Sequence, residues 1–472
     1  MRILHAIHDF LPRHTAGSEL YVATLARAQS VSHDVTILCA EFDPARTHGQ
    51  VTWRTHDDLP VVEIVNNWAV RTFEDTYRPP LVGERIGQVL DAVQPHVVHV
   101  HNLFNLSFDL PAEAHRRNIP VVATLHDYSL VCPSGGQRWH AAEAHVCRVI
   151  ETDRCARCVR ESVFHAQAAY ASLAAKSPSR TILPRAAALG RRVAPVLVAR
   201  AARTMSKVAA PSVAPRDIER RLARAREVMR EIDLFVAPSP ALAREFIDLG
   251  IEPARMRVSD NGFDVWRDDG ERAGGAGLSP GRIGTRDRPL RLGFVGTIVR
   301  HKGVHVLIEA MRELGERVDA QVFGSMDTFP DYAVTLRAAA DGLPVRFSGA
   351  FEPGRVRDIY AAFDVLVVPS VWIENSPLVI HEAFMQQIPV VAARVGGIPE
   401  LVHDGANGLL YEPFSADALR SALQRLIDDR SYLDSLSRHM SDVKTIQEDA
   451  DEWRARYRSV CGRAIEPMQT GS

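Results

Sequence analysis

The chain has 472 residues, of which 46% are hydrophobic and 24% are charged, and its formal net charge is −2. A chain of this length exceeds one ordinary hydrophobic core, so we expect two or three domains. The composition is typical of a globular protein, and the near-neutral charge argues against a nucleic-acid partner.

The amino-terminal segment MRILHAIHDF interrupts its apolar residues with His5, His8 and Asp9, which is not the pattern of a signal peptide. The chain also has no uncharged apolar run of about 18 residues, the length that predicts a membrane-spanning helix. We therefore expect a cytoplasmic protein.

Apolar segments alternate with helical patterns through the first half of the chain. RILHAI leads into the loop DFLPRHTAGSE, and the helix after this loop has Ser18 as its predicted N-cap. Further strand-like segments follow, at 33–40, 95–102, 119–127, 233–239 and 254–262. This alternation predicts a parallel sheet and a Rossmann-like domain over residues 1–262.

A second α/β series follows a segment at 263–289 that is rich in Gly, Arg and Asp and is predicted to be a linker. The second domain is expected at 290–445. Its strand-like segments lie at 290–296, 320–324, 345–349, 364–370 and 388–393. Residues 446–472 are expected to form a terminal helix that packs back on the first domain. We interpret Asp449 and Asp451 in that helix as surface charges.

The region 160–230 is locally basic, with fifteen Lys or Arg residues against four Asp or Glu residues. Its last part, from Arg216, has helical apolar spacing with a basic face. Two interpretations stay open: a solvated helix flank, or a patch that holds the protein on an anionic membrane at the inner face of the cell membrane.

The segment WIENSPLVIHEAF surrounds a predicted helix start. Ser376 suits the N-cap and Pro377 suits the first helical position. The amides of Leu378 and Val379 would then point out of the positive end of the helix dipole, which favours a phosphate.

Two carboxylates flank this predicted phosphate site. Glu374 lies in the loop before the helix, and Glu382 lies on the helix. Carboxylates accept hydrogen bonds from paired hydroxyls, so the arrangement suits a sugar–diphosphate–ribose ligand. Arg300 and Lys302 follow another strand of the same domain, and Lys302 would supply a point charge for a phosphate.

Several motifs of the second domain occur together. E-NSPLVIH-E spans Glu374 to Glu382, GTIVRHKG spans 296–303, and ARVGGIPELVHDGANGLLYEP spans 393–413. In these motifs and their order, the domain resembles the retaining glycosyltransferases of family 4, and the first domain resembles them more loosely. The resemblance implies the GT-B fold, an α/β architecture of two Rossmann-like domains facing across a cleft. It also implies transfer of a sugar from a nucleotide-diphosphate sugar to an acceptor hydroxyl, with retention, in polysaccharide or glycolipid assembly.

The resemblance implies residue roles as well. Glu374 would contact the donor sugar near its reacting carbon, Glu382 would hold the ribose, and Lys302 would bind the diphosphate. The implied nucleotide-sugar-binding set is Gly17, Gly296, Thr297, Arg300, Lys302, Asn375, Ser376, Pro377, Leu378, Val379 and Glu382. Many members carry Arg where this chain has Thr297, and Arg300 is a candidate to replace that charge.

His126, in TLHDYSL, follows a predicted strand end in the first domain. By the resemblance it would contact the donor sugar and the reacting centre; the alternative is a core histidine bonded to backbone. His99 and His101 lie at another strand end and are further candidates. Cationic side chains and helix-end amides can stabilise a leaving diphosphate, so no metal is expected in catalysis.

Four of the six cysteines, Cys132, Cys147, Cys155 and Cys158, fall within one short stretch that ends in a C-x-x-C pair. A structural zinc site, free thiols and disulfides all stay open, since the spacing is not that of a standard zinc finger.

Other functions fit less of the sequence. An epimerase of the same fold generally lacks the Glu-x7-Glu pattern, and a non-catalytic nucleotide-binding protein would not need Glu374, Lys302 and His126 together. The first strand does not lead into G-x-G-x-x-G, which argues against a dinucleotide dehydrogenase.

Overall fold

The computed structural model describes residues 1–162, 165, 167–169, 212–264, 288–351 and 353–465. The chain divides into two compact units, which we call unit 1 (Met1–Asp264 with Lys444–Ser472) and unit 2 (Val265–Val443). Most of the predicted linker and most of the basic region 160–230 lie outside the described residues.

Unit 1 contains ten described strands and seven described helices. The strands are β1 (Arg2–Ile7), β2 (Asp34–Glu41), β3 (Val51–His56), β4 (Leu59–Val65), β5 (Val97–Val100), β6 (Val121–Thr124), β7 (Trp139–His140), β8 (His145–Val146), β9 (Leu234–Ala237) and β10 (Met256–Val258). The helices are α1 (Gly17–Ser30), α2 (Pro80–Val93), α3 (Leu110–His115), α4 (Thr152–Glu161), α5 (Pro215–Glu231), α6 (Pro240–Asp248) and, from the end of the chain, α14 (Ile446–Ile465), with 3₁₀ turns at Glu74–Thr76 and Pro253–Arg255.

The main sheet of unit 1 has eight strands in the order β10-β9-β6-β5-β1-β2-β4-β3. Every neighbouring pair is parallel except β3 and β4, which form an antiparallel pair. The apolar residues of β1 are fully buried, as expected for a parallel sheet covered on both faces. The strand order reverses between β1 and β5, so ligand-binding residues are expected at the carboxyl ends of these strands.

Unit 2 has a six-stranded, all-parallel sheet. Its strands are β11 (Leu290–Val295), β12 (Val318–Phe323), β13 (Val345–Gly349), β14 (Val365–Val368), β15 (Val390–Ala393) and β16 (Gly408–Tyr411). Its helices are α7 (Val304–Met311), α8 (Pro330–Ala339), α9 (Val356–Ala361), α10 (Leu378–Met385), α11 (Ile398–Leu401), α12 (Ala416–Asp428) and α13 (Arg430–Ser437), with 3₁₀ turns at Arg300–Lys302, Gly315–Arg317 and Pro353–Arg355. The spatial order is β13-β12-β11-β14-β15-β16, which is the doubly wound Rossmann order. The prediction of an α/β protein with two Rossmann-like parts is confirmed.

The terminal helix α14 packs against α1 within unit 1 and buries Trp453 and Tyr457 completely. The interpretation of Asp449 as a surface charge is wrong, because its side chain is buried. Its carboxylate accepts hydrogen bonds from the Tyr21 hydroxyl (2.8 Å) and from the Lys444 ammonium (2.7 Å). Asp449 therefore anchors the helix through a compensated charge, whereas Asp451 is exposed.

The start of α1 also differs from the prediction. Ala16, rather than Ser18, occupies the N-cap position, and the helix begins at Gly17. The Glu19 carboxylate accepts a hydrogen bond from the Ala16 backbone N–H (3.2 Å), as the third residue of a capping box does. Ser18 donates its hydroxyl to the same carboxylate instead of capping the helix.

The described part of the basic region is helix α5, whose arginines divide into two groups. Arg221 is buried and donates to the carbonyl oxygens of Ser129 (2.6 Å) and Leu130 (3.0 Å). Arg224 turns inward to Glu231. The exposed arginines are Arg216, Arg220, Arg226 and Arg230. Within the described ranges, no helix combines the length and the apolar character needed to cross a membrane.

Candidate functional site

The strand order of unit 2 brings Lys302 and Glu374 together. Lys302 follows β11 and Glu374 follows β14, and these two strands are parallel neighbours where the strand order reverses. The Lys302 Nζ donates a hydrogen bond to Glu374 Oε1 at 2.7 Å. We call Lys302, Glu374, the start of α10 and Glu382 the switch-point site. Its position is the one at which doubly wound sheets bind ligands.

Two glycines allow the loops of the switch-point site to approach closely. Gly303 has φ +77°, and a Cβ atom there would lie 1.7 Å from the carbonyl oxygen of Pro369. Gly396 has φ +53°, and its Cβ atom would lie 2.0 Å from the carbonyl oxygen of Glu374. Only glycine fits both the conformation and the space, so the backbone around Glu374 is held from two sides.

Glu374 is a charged group in an enclosed place, with 4% of its surface exposed. Burial alone would raise the pKa of its carboxyl group. The Lys302 charge and the hydrogen bonds from Lys302 and Ser370 outweigh burial and lower that pKa below its ordinary value. The Ser370 hydroxyl donates to the same oxygen at 2.5 Å. Glu374 is therefore ionised at neutral pH and can accept hydrogen bonds from ligand hydroxyls.

Helix α10 begins one residue later than predicted. Pro377 occupies the N-cap position, and Leu378 is the first helical residue. Ser376 does not cap the helix, because its hydroxyl pairs with His381 Nε2 at 2.9 Å, one turn into the helix. The first amides of a helix, here those of Leu378 and Val379, have no partner within the helix and carry the positive end of its dipole. Asn375, before the helix, is buried.

Glu382 lies about one turn into α10 and contacts Tyr360 of α9. The Tyr360 hydroxyl donates to Glu382 Oε2 at 2.7 Å. Burial raises the pKa of the Glu382 carboxyl group, and the Tyr360 hydrogen bond only partly offsets this effect. Tyr360 was not predicted as a site residue; its spacing from Glu382 gives no sequence signal, since the contact arises only when the two helices pack.

The loop after β11 places the remaining predicted residues of unit 2. Gly296 has φ +148°, and Thr297 is exposed. Arg300 is also exposed, and its guanidinium lies 5.4 Å from the centre of the Tyr332 ring in a cation–π contact. Within unit 2, the Arg300 side chain therefore turns to α8, whereas Lys302 turns to Glu374. Arg300 and Lys302 thus lie in one loop but contact different partners, Tyr332 and Glu374.

Unit 1 contains a chain of hydrogen-bonded histidines that begins at His126. His126 Nε2 lies 3.0 Å from His101 Nδ1, and His101 Nε2 lies 2.9 Å from His5 Nδ1. His5 Nε2 lies 2.8 Å from the Gln29 side-chain oxygen. We call these four residues the histidine chain. It joins residues from β1, α1 and the segments after β5 and β6 at the strand-order reversal of unit 1.

The end of the histidine chain fixes the protonation of every ring. The Gln29 amide donates to the Tyr457 hydroxyl at 3.2 Å, so its oxygen accepts from His5 Nε2. Each neutral ring carries one proton, so the Nε2 atoms of His5 and His101 donate along the chain. His126 then donates through Nε2 and keeps Nδ1 as an acceptor atom. Burial lowers the pKa of His126 to about 3, so the ring is neutral at physiological pH.

The histidine chain was only partly foreseen. His99, a further candidate, lies inside β5 and bonds the Tyr457 hydroxyl (2.8 Å) and the Thr124 hydroxyl (2.8 Å). It is a core residue. His5 was missed, although a histidine in the middle of the apolar strand RILHAI is itself a signal for a buried polar network.

Among the described residues, three buried histidines have ring nitrogens close enough together to hold a metal ion. Ligand atoms of His5, His99 and His101 all lie within 4.8 Å of one another. Both ring nitrogens of each residue already have hydrogen-bond partners in the protein. The arrangement is therefore satisfied as a hydrogen-bond network, and a metal would have to displace it.

Gly17 and its surroundings lie at the carboxyl end of β1. Gly17 is exposed at the first position of α1, so its backbone is accessible to a ligand. Next to it, His8 Nε2 lies 3.2 Å from the buried Glu19 carboxylate. His8 follows β1 directly and Glu19 lies in the first turn of α1, and neither was predicted as a site residue.

The four clustered cysteines of unit 1 line one cavity, between the segment after Tyr128, the β7–β8 hairpin and helix α4. All six cysteines of the chain lie within the described residues and are free thiols, so the disulfide alternative is not observed. Burial, and then the neighbouring thiols, raise the pKa of Cys155 to about 12.

Comparison with known families gives two matches, one in each unit. Residues 15–171 match the Glycosyltransferase Family 4 model, and residues 289–429 match the model described as Glycosyl transferases group 1. The first match covers Gly17, three members of the histidine chain (Gln29, His101 and His126) and the cysteine cavity, and it begins after His5. The second covers the whole switch-point site.

Curated relatives match about half of this chain. The D-inositol 3-phosphate glycosyltransferase of Nocardia farcinica is 33% identical over 47% of this chain and 50% of its own length. The alpha-maltose-1-phosphate synthase of Mycobacterium tuberculosis is 32% identical over 48% of this chain and 63% of its own length. The sulfoquinovosyl transferase SQD2 of Arabidopsis thaliana is 29% identical over 48% of this chain and 43% of its own length. The chain thus spans about half the length of the curated relatives it matches.

Solved structures extend the likeness to nearly the full chain. Anabaena HepE in complex with UDP and glucose has a TM-score of 0.56 at 18% identity, with 98% of each chain covered. Sucrose-phosphate synthase from Thermosynechococcus elongatus has a TM-score of 0.63 at 17% identity, with 98% of this chain and 99% of that chain covered. At these identities the likeness is one of fold, and it confirms the predicted GT-B fold class. With one glycosyltransferase model matched in each unit, the chain contains a Glycosyltransferase Family 4 domain and a Glycosyl transferases group 1 domain.

Proposed function

We propose that this protein transfers a sugar from a nucleotide-diphosphate sugar to an acceptor hydroxyl with retention of configuration, in polysaccharide or glycolipid assembly. The Lys302–Glu374 ion pair at the strand-order reversal of unit 2 carries the proposal. A cation and a buried, ionised carboxylate beside a helix start suit a ligand that combines a diphosphate with sugar hydroxyls. The family match supports the same reaction class.

Each group of the switch-point site has a distinct task in this reaction. Lys302 and the amides of Leu378 and Val379 stabilise the negative charge that develops on the leaving diphosphate. Glu374 accepts hydrogen bonds from the donor sugar and orients it. Glu382 accepts hydrogen bonds from the ribose. In unit 1, the neutral ring of His126 binds a sugar hydroxyl.

The proposal is tested first by nucleotide binding. A thermal-shift series with UDP, GDP and ADP should identify the base, and UDP is the first to test because HepE binds UDP. Release of nucleoside diphosphate from the matching sugar nucleotide should then depend on an acceptor. Glu374→Ala should lose that release while it still binds nucleotide. Unchanged turnover in Glu374→Ala would refute the role of Glu374.

The same experiments separate the alternatives. An epimerase of the same fold would convert the nucleotide sugar without an acceptor. A non-catalytic nucleotide-binding protein would show the thermal shift but release no product. Acceptor-dependent release of nucleoside diphosphate supports only the transferase.

Glu382 offers a test in which stability and binding respond differently. Glu382→Gln should leave the melting temperature unchanged or higher, because it removes a carboxylate whose pKa is raised by burial. Affinity for the nucleoside diphosphate should fall about tenfold, or ~1.4 kcal/mol, through the lost charged acceptor. Calorimetric titration measures the affinity, and Glu412→Gln in the same unit serves as the control. A lower melting temperature with unchanged affinity would contradict the ribose role.

The proposed location is the cytoplasm, with peripheral contact to the inner face of the cell membrane. Four exposed arginines of α5 support the contact, since basic side chains are attracted to anionic lipid. The protein should cosediment with phosphatidylglycerol vesicles at low salt and not with phosphatidylcholine vesicles. Equal behaviour with both lipids would exclude an electrostatic contact.

A further inference from the structure

The cysteine cavity of unit 1 lies outside the switch-point site and the histidine chain. Its lining includes all four clustered cysteines: Cys132, Cys147, Cys155 and Cys158. Their side chains are partly buried and are not joined by disulfides. Weak thiol hydrogen bonds do not by themselves account for four free thiols around one small cavity.

Three different elements bring the sulfurs to this cavity. Cys132 follows the β6 exit, and its backbone N–H donates to the Tyr128 carbonyl at 2.7 Å. Cys147 directly follows β8 of the two-stranded hairpin. Cys155 and Cys158 lie three residues apart on α4, a spacing that places both on one face of a helix. A turn, a hairpin and a helix face thus bring the four thiols to one cavity. Their sulfur atoms, all four among the described residues, do not already form a group within 4.8 Å of one another, so binding of a metal would draw them together.

The surroundings suit a metal–thiolate group. One Zn²⁺ with four thiolates carries a net charge of −2, and the cavity lining also includes Arg138 and Arg154. The Arg138 Nε donates to the Cys147 carbonyl at 2.7 Å, so this cation is fixed beside one of the four cysteines. Soft thiolate ligands without a competing carboxylate among them favour zinc over magnesium, calcium or manganese.

We propose that Cys132, Cys147, Cys155 and Cys158 bind one structural Zn²⁺ ion in a four-thiolate site. Each thiol loses its proton when the metal binds, and the cysteines and the metal keep their oxidation states. With four protein ligands, the site has no open position for a substrate, so its role is to hold the fold.

The site would fix the segment that carries His126. Tyr128 lies two residues after His126, and its backbone N–H donates to Gly136 within the same loop as Cys132 (3.0 Å). The Arg138 guanidinium lies 5.1 Å from the centre of the Tyr128 ring. The zinc site would therefore tie the hairpin and α4 to the backbone that positions His126.

Metal analysis of the purified full-length chain tests this proposal. Protein from zinc-supplemented growth, purified without chelators, should contain about one zinc per chain by mass spectrometry of the metal. Cys155→Ser should lose most of this zinc, whereas Cys461→Ser, which changes a partly exposed cysteine outside the cavity, should keep it. Replacement of zinc by Co²⁺ should give the visible absorption of tetrahedral cobalt with four thiolates.

The cobalt spectrum decides the question even if Cys155→Ser does not fold, because it uses the unaltered chain. A folded protein that contains no zinc, and whose cavity thiols react with a thiol reagent as fast as Cys461, would overturn the proposal. Iron with visible charge-transfer absorption in place of zinc would also overturn it. None of these readouts depends on sugar transfer, so failure of the proposed transferase activity would leave the metal result intact.

Discussion

Replacement of Lys302 by alanine should reduce sugar transfer by about 10³-fold, or ~4 kcal/mol of transition-state stabilisation. Lys302 is the described cation that bonds Glu374 directly in the switch-point site, at 2.7 Å. Its ammonium would offset the charge that develops on the diphosphate as the sugar leaves. The loss should lie mainly in kcat, because that charge is largest in the transition state.

The same substitution should also destabilise unit 2. Without Lys302, the Glu374 carboxylate stays buried and loses the cation that compensates its charge, although the Ser370 hydroxyl still donates to it. Removing one partner of a buried ion pair typically costs about 3–5 kcal/mol, and the partial exposure of Lys302 places the expected cost near the lower end. The pKa of Glu374 should rise toward and above its ordinary value.

A double substitution separates the two effects. Lys302→Ala with Glu374→Gln removes both charges, so most of the lost stability should return while turnover stays low. Arg312→Ala serves as the control, because it also removes a cation, at an exposed position directly after α7. Melting temperature and nucleoside diphosphate release are measured on all variants. Full recovery of turnover in the double variant would show that Lys302 acts only by neutralising Glu374.

The switch-point site was largely predictable from the sequence because its residues lie in short motifs. Lys302 and Glu374 each follow an apolar strand, and parallel strands place such positions at one edge of a sheet. The remaining error at Ser376 has a physical cause. A serine before a helix has more than one acceptor or donor within reach, and His381 on the next turn competes with the backbone amides.

Long-range contacts were not predictable in this way. The carboxylate of Asp449 reaches Tyr21 at the opposite end of the chain, and no local pattern distinguishes it from exposed Asp451. The histidine chain similarly joins residues that are about 100 positions apart. Such buried polar networks depend on strand order, which the apolar pattern of single strands does not determine.

Acidification should destabilise unit 1 through its buried histidines. Burial lowers the pKa of His5 from 6.5 to about 4 and lowers the pKa values of His99 and His101 well below 6.5. Below pH 6.5 the unfolded chain therefore binds protons that the folded unit does not. Because a folded-state pKa below the unfolded value favours the unfolded state in acid, stability falls as the pH decreases from 6.5.

The expected slope is large. Each excluded proton contributes up to about 1.4 kcal/mol per pH unit, so the four buried histidines, which include His126, approach about 5 kcal/mol per pH unit below pH ~5.5. Asp9 and Asp127 have raised pKa values and act in the opposite direction, because above pH 3.8 the folded unit keeps protons that the unfolded chain releases. His14, with a raised pKa, acts mainly above 6.5.

Peptide-resolved hydrogen exchange measures this effect in unit 1 alone, after correction for the pH dependence of the chemical exchange rate. Protection of β1, β5 and β6 should fall steeply between pH 6.5 and pH ~5. His99→Gln keeps a donor and an acceptor for Tyr457 and Thr124 but removes one of four titrating groups, so the slope should decrease by about one quarter. His439→Gln, an exposed histidine in unit 2, should leave it unchanged. Protection that does not depend on pH in this range would show that the buried rings take up protons as readily as those of the unfolded chain, and that the fixed tautomers of the histidine chain do not persist in solution.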